Sequence, residues 1–255
     1  MANTVYANKI IEAKAKDLLA TAVNTRSLMT VDNELAAEAG MTKTIHTYTY
    51  SGTAEELGVG EGNSVRGSVT YVPSDYTVKL VQQAFDYQDE DFMKDDNVVD
   101  MGVKGATQTM TNKMTADFIA ECEKATITHT GAMSYDTVVD AIAKLNIEDE
   151  SGLFLIVSPE KKAELRKDPD YVAARMGEVV YNGQVGTVAG IPVISSKAVD
   201  NAYIMSKEAV KLFMKKDVEV EQERDADTRT NSIYLRAAYL VALVDATKIC
   251  KIIEA

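Results

Sequence analysis

The chain lacks tryptophan altogether and has only four prolines, two cysteines and two histidines among 255 residues. So few prolines exclude Pro-rich linkers and Pro-rich signalling ligands. Two cysteines as far apart as Cys122 and Cys250 make no disulfide framework and fit a reducing compartment or plain burial. No window approaches 18 uncharged apolar residues, so no helix can span a bilayer and no membrane partner is expected. The opening MANTVYANKIIEAKAKDLLA breaks its apolar residues with charges and so lacks the continuous core of a secretory signal. Basic residues are outnumbered 27 to 39, leaving a net charge of −12, and they cluster no further than pairs such as Lys215–Lys216. A general nucleic-acid binder needs a basic surface to release phosphate counterions, so that class drops out.

What remains is ordinary globular usage, 46% hydrophobic and 26% charged, in a length that suits one discontinuous domain or two small ones. Residues 4–23 place Ile11, Ala15, Leu18, Leu19, Ala22 and Val23 on one helical face, opposite Lys9, Lys14, Lys16 and Asp17. That is an amphipathic helix in need of a partner surface. Residues 24–40 have no clear period and read as irregular. From 43 the composition turns to Thr, Tyr, Val and Ile, and strands are predicted at 43–51, 65–73 and 76–85. A Gly-rich loop with glycines 52, 58, 60 and 62 joins the first two. Few apolar residues line this hairpin, so it reads as an arm.

The acidic run Asp86–Asp100 reads as a solvated face before a helix start. Val103, Ala106, Met110, Met114, Phe118, Cys122 and Ala125 then recur every three or four residues, a long helix over 101–125 with a narrow apolar stripe. Ser134 is set to cap a helix reaching Leu145, with Val138, Val139, Ile142 and Leu145 buried. GLFLIV at 152–157 reads as a buried strand, and Ser158-Pro159-Glu160 as the next helix start, stopping near Asp168-Pro169. Short strands are expected around 184–189, 191–195 and 202–206. A charged stretch, 215–229, precedes a final apolar run, 233–253.

No chemistry emerges from the motifs. Gly58-Val59-Gly60-Glu61-Gly62-Asn63 has Asn where a dinucleotide loop needs its third glycine, and a strand follows where a helix is required. GxxxxGK[ST] and GxSxG are absent. His46 and His129 have no evident orienting partner for base catalysis, and neither joins Cys122 in a zinc-ligand spacing. Asp225-Ala226-Asp227-Thr228-Arg229 opens like a calcium loop but puts Arg229 where a ligand is needed. The expectation is therefore no catalytic residue, no cofactor and no metal.

The succession of elements resembles the tailed-phage major capsid proteins of the Hong Kong 97 type. Ala54-Glu55-Glu56-Leu57-Gly58-Val59-Gly60-Glu61-Gly62 resembles the tip of that family's extended loop, Gly102–Thr128 its spine helix, and LFLIVSPEKKAELR its strand and short helix. GQVGTVAGIPVISS at 183–196 resembles its G-x-x-G-x-x-x-G-x-P-V turn and strand, and Arg224–Ile253 its returning strands. The resemblance implies a mixed α+β fold with a long spine helix, an extended β-hairpin loop, and peripheral and axial domains. It divides the chain into an N-terminal arm (1–40), the extended loop (41–85), a peripheral part with the spine helix (86–131), an axial domain (132–225) and return strands (226–255).

The implied role is self-assembly into pentamers and hexamers of an icosahedral shell, enclosing double-stranded DNA without sequence-specific binding. The implied location is the virion, after assembly in the host cytoplasm, with a scaffolding protein, a portal and decoration proteins as further partners. Gly58, Gly60, Glu61 and Gly62 are the candidate loop-tip contacts, and Ile11, Leu18 and Leu19 the candidate arm contacts. Some members remove an N-terminal scaffolding segment; Met1 ahead of the arm leads to no such expectation here. Some crosslink a loop lysine, but 51–64 has none, so no crosslink is expected. Two rival readings are an encapsulin-like nanocompartment shell, which shares the fold, and a soluble α/β enzyme with an oligomerisation arm.

Overall fold

The computed structural model describes residues 10–15, 25–37, 39–95, 97–170 and 186–254. Residues 10–15 are helical (α1), and Leu18 and Leu19 lie outside the described residues. The stretch read as irregular carries a 3-10 turn at Thr25–Leu28, a strand β1 (Thr30–Asp32) and a single-turn helix α2 (Glu34–Ala37).

The longest helix, α4 (Val98–Cys122), has 25 residues and spans about 37 Å at ~1.5 Å per residue. Its predicted stripe is its buried face: Val103, Ala106, Met110, Met114, Phe118 and Cys122 are all buried, with Val99 added. Two sheets pack against it. The first has the order β1-β10-β11-β4, from β10 (Val210–Asp225), β11 (Thr230–Leu243) and β4 (Lys79–Gln88). Strand alternation sorts its side chains cleanly. Leu212, Met214, Leu235, Ala237, Tyr239 and Val241 join the core shared with α4. Their neighbours Phe213, Ala238, Leu240 and Ala242 point to the opposite face, where Leu35, Ile45 and Val78 cover them.

The second sheet has the order β5-β12-β9-β6-β8-β7. It comprises β5 (Ile127–Thr130), β12 (Ile249–Ile253), β9 (Ala202–Ser206), β6 (Leu153–Val157), β8 (Ile191–Ser195) and β7 (Thr187–Val188). Phe154, Ile156, Tyr203, Met205 and Ile249 face the α4 core. Leu153, Leu155, Val157, Ile204 and Cys250 face the helices α5 (Tyr135–Leu145) and α6 (Pro159–Lys167). A strand covered on both sides has no reason to alternate, which is why LFLIV is continuous. The Ser134 hydroxyl accepts from the Thr137 N–H, and the Ser158 hydroxyl from the Lys161 N–H, as the two cap readings require.

Several expectations change. The third predicted strand is not a continuation of the arm: β4 pairs with β11 in the four-stranded sheet. The charged stretch after 215 is the outer half of β10, where Val218 and Val220 turn inward and Glu219, Glu221 and Glu223 outward. The acidic run is not one solvated face, since it ends β4 and forms α3 (Asp89–Lys94), with Asp89 paired to Arg224 at 2.7 Å. Val139 is 40% exposed rather than buried, because Val138 and Ile142 already occupy the inward side of α5.

The remaining element is an antiparallel hairpin of β2 (Thr42–Ser51) and β3 (Ser68–Thr77), in register from Thr42↔Thr77 to Ser51↔Ser68. Only its base is docked. Ile45 and Val78 are buried against Phe213, and the Lys43 ammonium reaches Glu34 at 2.5 Å and lies 5.0 Å from the Phe213 ring centre.

Candidate assembly surfaces

Among the described residues the distal hairpin carries the largest concentration of exposed apolar side chains. His46, Tyr48 and Tyr50 share one face by alternation, and their cross-strand partners Pro73, Tyr71 and Val69 fall on the same face. The rings interlock loosely: His46 to Tyr71 at 5.4 Å between centres, and Tyr48 to Tyr71 at 6.3 Å. Tyr48, Tyr50, Val69 and Tyr71 nonetheless stay more than 60% exposed. The opposite face is polar, with Thr47, Thr49 and Thr70 beside Val72. Two glycines permit the end of this surface, since a Cβ on Gly52 or Gly67 would stand 2.6 or 2.2 Å from the Tyr50 hydroxyl.

Beyond Ser51 the chain closes a tip held by its own carboxylates. Glu55 accepts from the Ser64 N–H (2.8 Å), the Ser64 hydroxyl (2.5 Å) and the Val65 N–H (3.2 Å), and these bonds hold its carboxyl below the usual range. Gly58 to Glu61 form a turn in which the Glu61 N–H donates to the Gly58 carbonyl at 3.2 Å. Gly60, with φ +89°, supplies the third-position backbone that a type II turn demands. Gly58, Gly60, Glu61 and Gly62 are all exposed at this tip. The Glu61 carboxylate is turned back onto the Gly58 N–H at 3.1 Å, and the apex side chain is Val59, fully exposed. Sequence reasoning passed over Val59, although its place between two glycines marks it as the projecting residue.

The candidate arm contact Ile11 is 3% exposed and, with Ala15, joins the core around α4. Lys14 reinforces that docking through Asp100 at 2.5 Å. The partner surface that an amphipathic helix needs is thus supplied to Ile11 by the same chain.

Two carboxylates, the buried Asp117 and the more exposed Glu123, fasten α4 to the sheets. Asp117 accepts from Lys79 (2.8 Å), Lys113 (3.0 Å) and the Tyr239 hydroxyl (2.9 Å). Burial alone raises its pKa, but those bonds outweigh burial and hold the carboxyl below its usual value. Glu123, just past the helix, accepts from the Tyr203 hydroxyl, Lys251 and the Asn201 amide (3.0 Å). Burial again raises and the bonds lower, with the net shift downward. Tyr203 and Tyr239 are pushed up, by burial and by the carboxylate each faces. Burial also pushes the Cys122 thiol up; its sulfur lies 3.9 Å from that of Met205, a packing position rather than a reactive one.

A cleft of about 390 Å³ lies between α4 and β8, with Phe118, Ile119 and Ile156 on its floor and Lys197 as its titratable residue among those described. General acid–base work needs a second titratable group in reach, and the cleft offers none among the described residues. His46 stands on the hairpin and His129 on β5. Among the described residues no three His, Cys, Asp or Glu side chains converge on a metal position, and no helix is long and apolar enough to cross a membrane.

Comparison with known proteins gives the context. The family described as "Phage capsid protein" matches residues 70–252. The curated major capsid protein of Staphylococcus phage phiMR11 is 25% identical over 240 residues, covering 89% of this chain and 85% of that one. The mature capsid of bacteriophage PhiM1 superposes with a TM-score of 0.71 at 13% identity, over 90% of this chain and 86% of that one. A virus-like particle from Pyrococcus furiosus superposes at 0.66 and 11% identity, over 96% and 98%. The fold is thus the Hong Kong 97 type, and with a family match running through β3, α4 and every later strand to β12, the chain belongs to the phage capsid protein family.

Proposed function

We propose that this chain is the major subunit of an icosahedral phage head, assembling as pentamers and hexamers around double-stranded DNA. Its role is structural and not enzymatic, in keeping with the family. The observation that carries the quaternary reading is the distal hairpin: an apolar, aromatic face on a two-stranded ribbon that nothing among the described residues covers. Such a ribbon is marginal in water, and a neighbouring subunit is the surface that completes it.

The four-stranded sheet with α4 corresponds in this reading to the peripheral domain, and the six-stranded sheet with α5 and α6 to the axial domain. β10 then belongs with the peripheral part and β12 with the axial part, while the extended loop ends at Thr77. Gly58, Gly60, Glu61, Gly62 and Val59 form the loop-tip contact. Scaffold, portal and decoration partners, and assembly in the host cytoplasm before the subunit resides in the virion, complete the proposal. A net charge of −12 suits a wall that does not hold packaged DNA, since like charges repel within a Debye length.

The experiment is electron microscopy of the purified protein with its light-scattering mass. Shells, tubes or capsomers are expected. A small monodisperse species at all salt and protein concentrations, unchanged by candidate scaffold, refutes the reading. Particles filled with enzyme rather than DNA would instead point to an encapsulin-like compartment.

A further inference from the structure

We propose that the C-terminal end of α4, residues 117–124, is a coupling joint that ties the tilt of the hairpin arm to the position of the six-stranded sheet. Four polar side chains within these eight residues reach different parts of the fold. Asp117 holds β4 through Lys79 and β11 through Tyr239. Glu121 accepts from the Leu243 N–H at 3.4 Å and from Lys124 at 2.6 Å. Lys124 in turn lies 5.4 Å from the centre of the Tyr76 ring, within cation–π range. Tyr76 belongs to the hairpin base, and its hydroxyl donates to the Leu243 carbonyl at 3.4 Å. Glu123 faces the other way, to Tyr203 and Asn201 of the β9 region and Lys251 of β12.

The helix end cannot slip between these attachments. Phe118 and Cys122 are fully buried on its inward face, locked in the core that both sheets share. A hairpin that tilts moves Tyr76, which moves Lys124, one residue from the carboxylate that holds the six-stranded sheet. Where the hairpin joins the body, Gly40 takes φ +124° ahead of β2, and the Val78 N–H beyond β3 donates to the Met41 carbonyl at 2.7 Å, so a change in the arm's angle is taken up at these two positions and at Tyr76. Packed interiors rearrange between discrete states rather than deform smoothly. Whatever fixes the arm therefore biases the six-stranded sheet, and by linkage the reverse holds.

The test is hydrogen exchange by mass spectrometry on the unassembled full-length chain. Glu123→Ala cuts the tie to the six-stranded sheet, and Tyr76→Leu cuts the tie to the arm while keeping an apolar side chain against the Phe213 cluster. Each is expected to speed exchange on both sides, at 40–45 and 74–78 and also at 200–206 and 249–253, by about 5-fold or more at the remote side, the lower end of ordinary coupling strengths. Exchange at β6, residues 153–157, is the control for an intact fold. Should Glu123→Ala lose that protection, Glu123→Gln replaces it, since the amide keeps the shape and loses the charge pairing with Lys251. Exchange changes confined to the mutated side in both variants overturn the proposal. The joint lies within one chain, so its failure leaves the shell reading standing, and a failure to form shells leaves the joint untouched.

Discussion

Replacing Asp117 with alanine removes the bolt between the spine helix and the four-stranded sheet, and the cost can be worked from the three donors it strands. The carboxylate is 6% exposed, whereas the Lys79 and Lys113 side chains are 53% and 52% exposed. Those ammonium groups turn to water when their acceptor goes, so each loses about 0–1 kcal/mol, as for a surface pair. Tyr239 is 1% exposed and cannot follow. Its hydroxyl is left buried without an acceptor, at about 1–3 kcal/mol. The expected loss is about 3 kcal/mol, read as a lower urea midpoint at unchanged slope on unassembled subunits at fixed concentration. Asp117→Asn keeps an acceptor for Tyr239 and loses about 1 kcal/mol.

The pH dependence supplies a second check. Because the folded carboxyl titrates below the ordinary value near 3.8, its contribution is complete above that value and disappears as pH falls through the folded pKa. The gap between wild type and Asp117→Ala is therefore constant in the neutral range and narrows below about pH 4. A loss under about 0.5 kcal/mol at neutral pH, or a gap that widens on acidification, refutes the reasoning.

The remaining predictions use the same preparation. A Cβ at Gly102 would stand 2.3 Å from the Phe85 ring, while one at Gly105 meets nothing within 4 Å. Gly102→Ala should therefore lower the unfolding free energy read from urea melts by about 1–3 kcal/mol of overpacking, partly offset by helix propensity, and Gly105→Ala should raise it by up to about 1 kcal/mol; equal effects would contradict the packing. Ser134→Ala removes the cap on Thr137 and costs about 1 kcal/mol, with amide exchange rising first at 135–138. Tyr48→Ser combined with Tyr71→Ser leaves subunit stability within about 1 kcal/mol, yet light scattering should show shell formation lost. Normal shells from that double variant would remove the aromatic face from the assembly surface.

Local signals were legible and long-range ones were not. The α4 stripe, the Ser134 cap, the Ser158-Pro159 start and the buried run at β6 are each written in a few neighbouring residues. The end of the hairpin was misplaced because the turn residues Pro73-Ser74-Asp75 signal a break at 74–75, whereas β3 runs through them to Thr77 and the chain changes sheet at the buried Val78. The outer half of β10 did carry a signal, since Val218-Glu219-Val220-Glu221 alternates strictly, but its density of charge masked the period. Ile11 shows a different limit: an amphipathic helix announces that it needs a surface and not whose surface it is. At the loop tip, the glycine spacing marked the turn but not that Glu61 would fold back onto Gly58.

The hairpin separates subunit stability from assembly. Its base shares the Phe213 and Leu240 cluster with the body, so changes at Ile45 or Val78 weaken the subunit itself. From His46 outward the ring contacts among the described residues are those of His46, Tyr48 and Tyr71 with one another, and cross-strand pairs contribute about 0.2–1 kcal/mol each. That is too little to hold an uncovered two-stranded ribbon firmly shut, so amides beyond His46 should exchange quickly in the free subunit while those at 42–45 stay protected. Burying an aromatic or aliphatic side chain that was fully open to water contributes about 1.5–3 kcal/mol, and Tyr48, Tyr50, Val69 and Tyr71 are each still mostly open. Most of the stabilisation of the distal arm is therefore available only from a neighbour, which makes the arm ordered in the shell and sensitive to mutation there, while the free subunit remains nearly indifferent to the same changes.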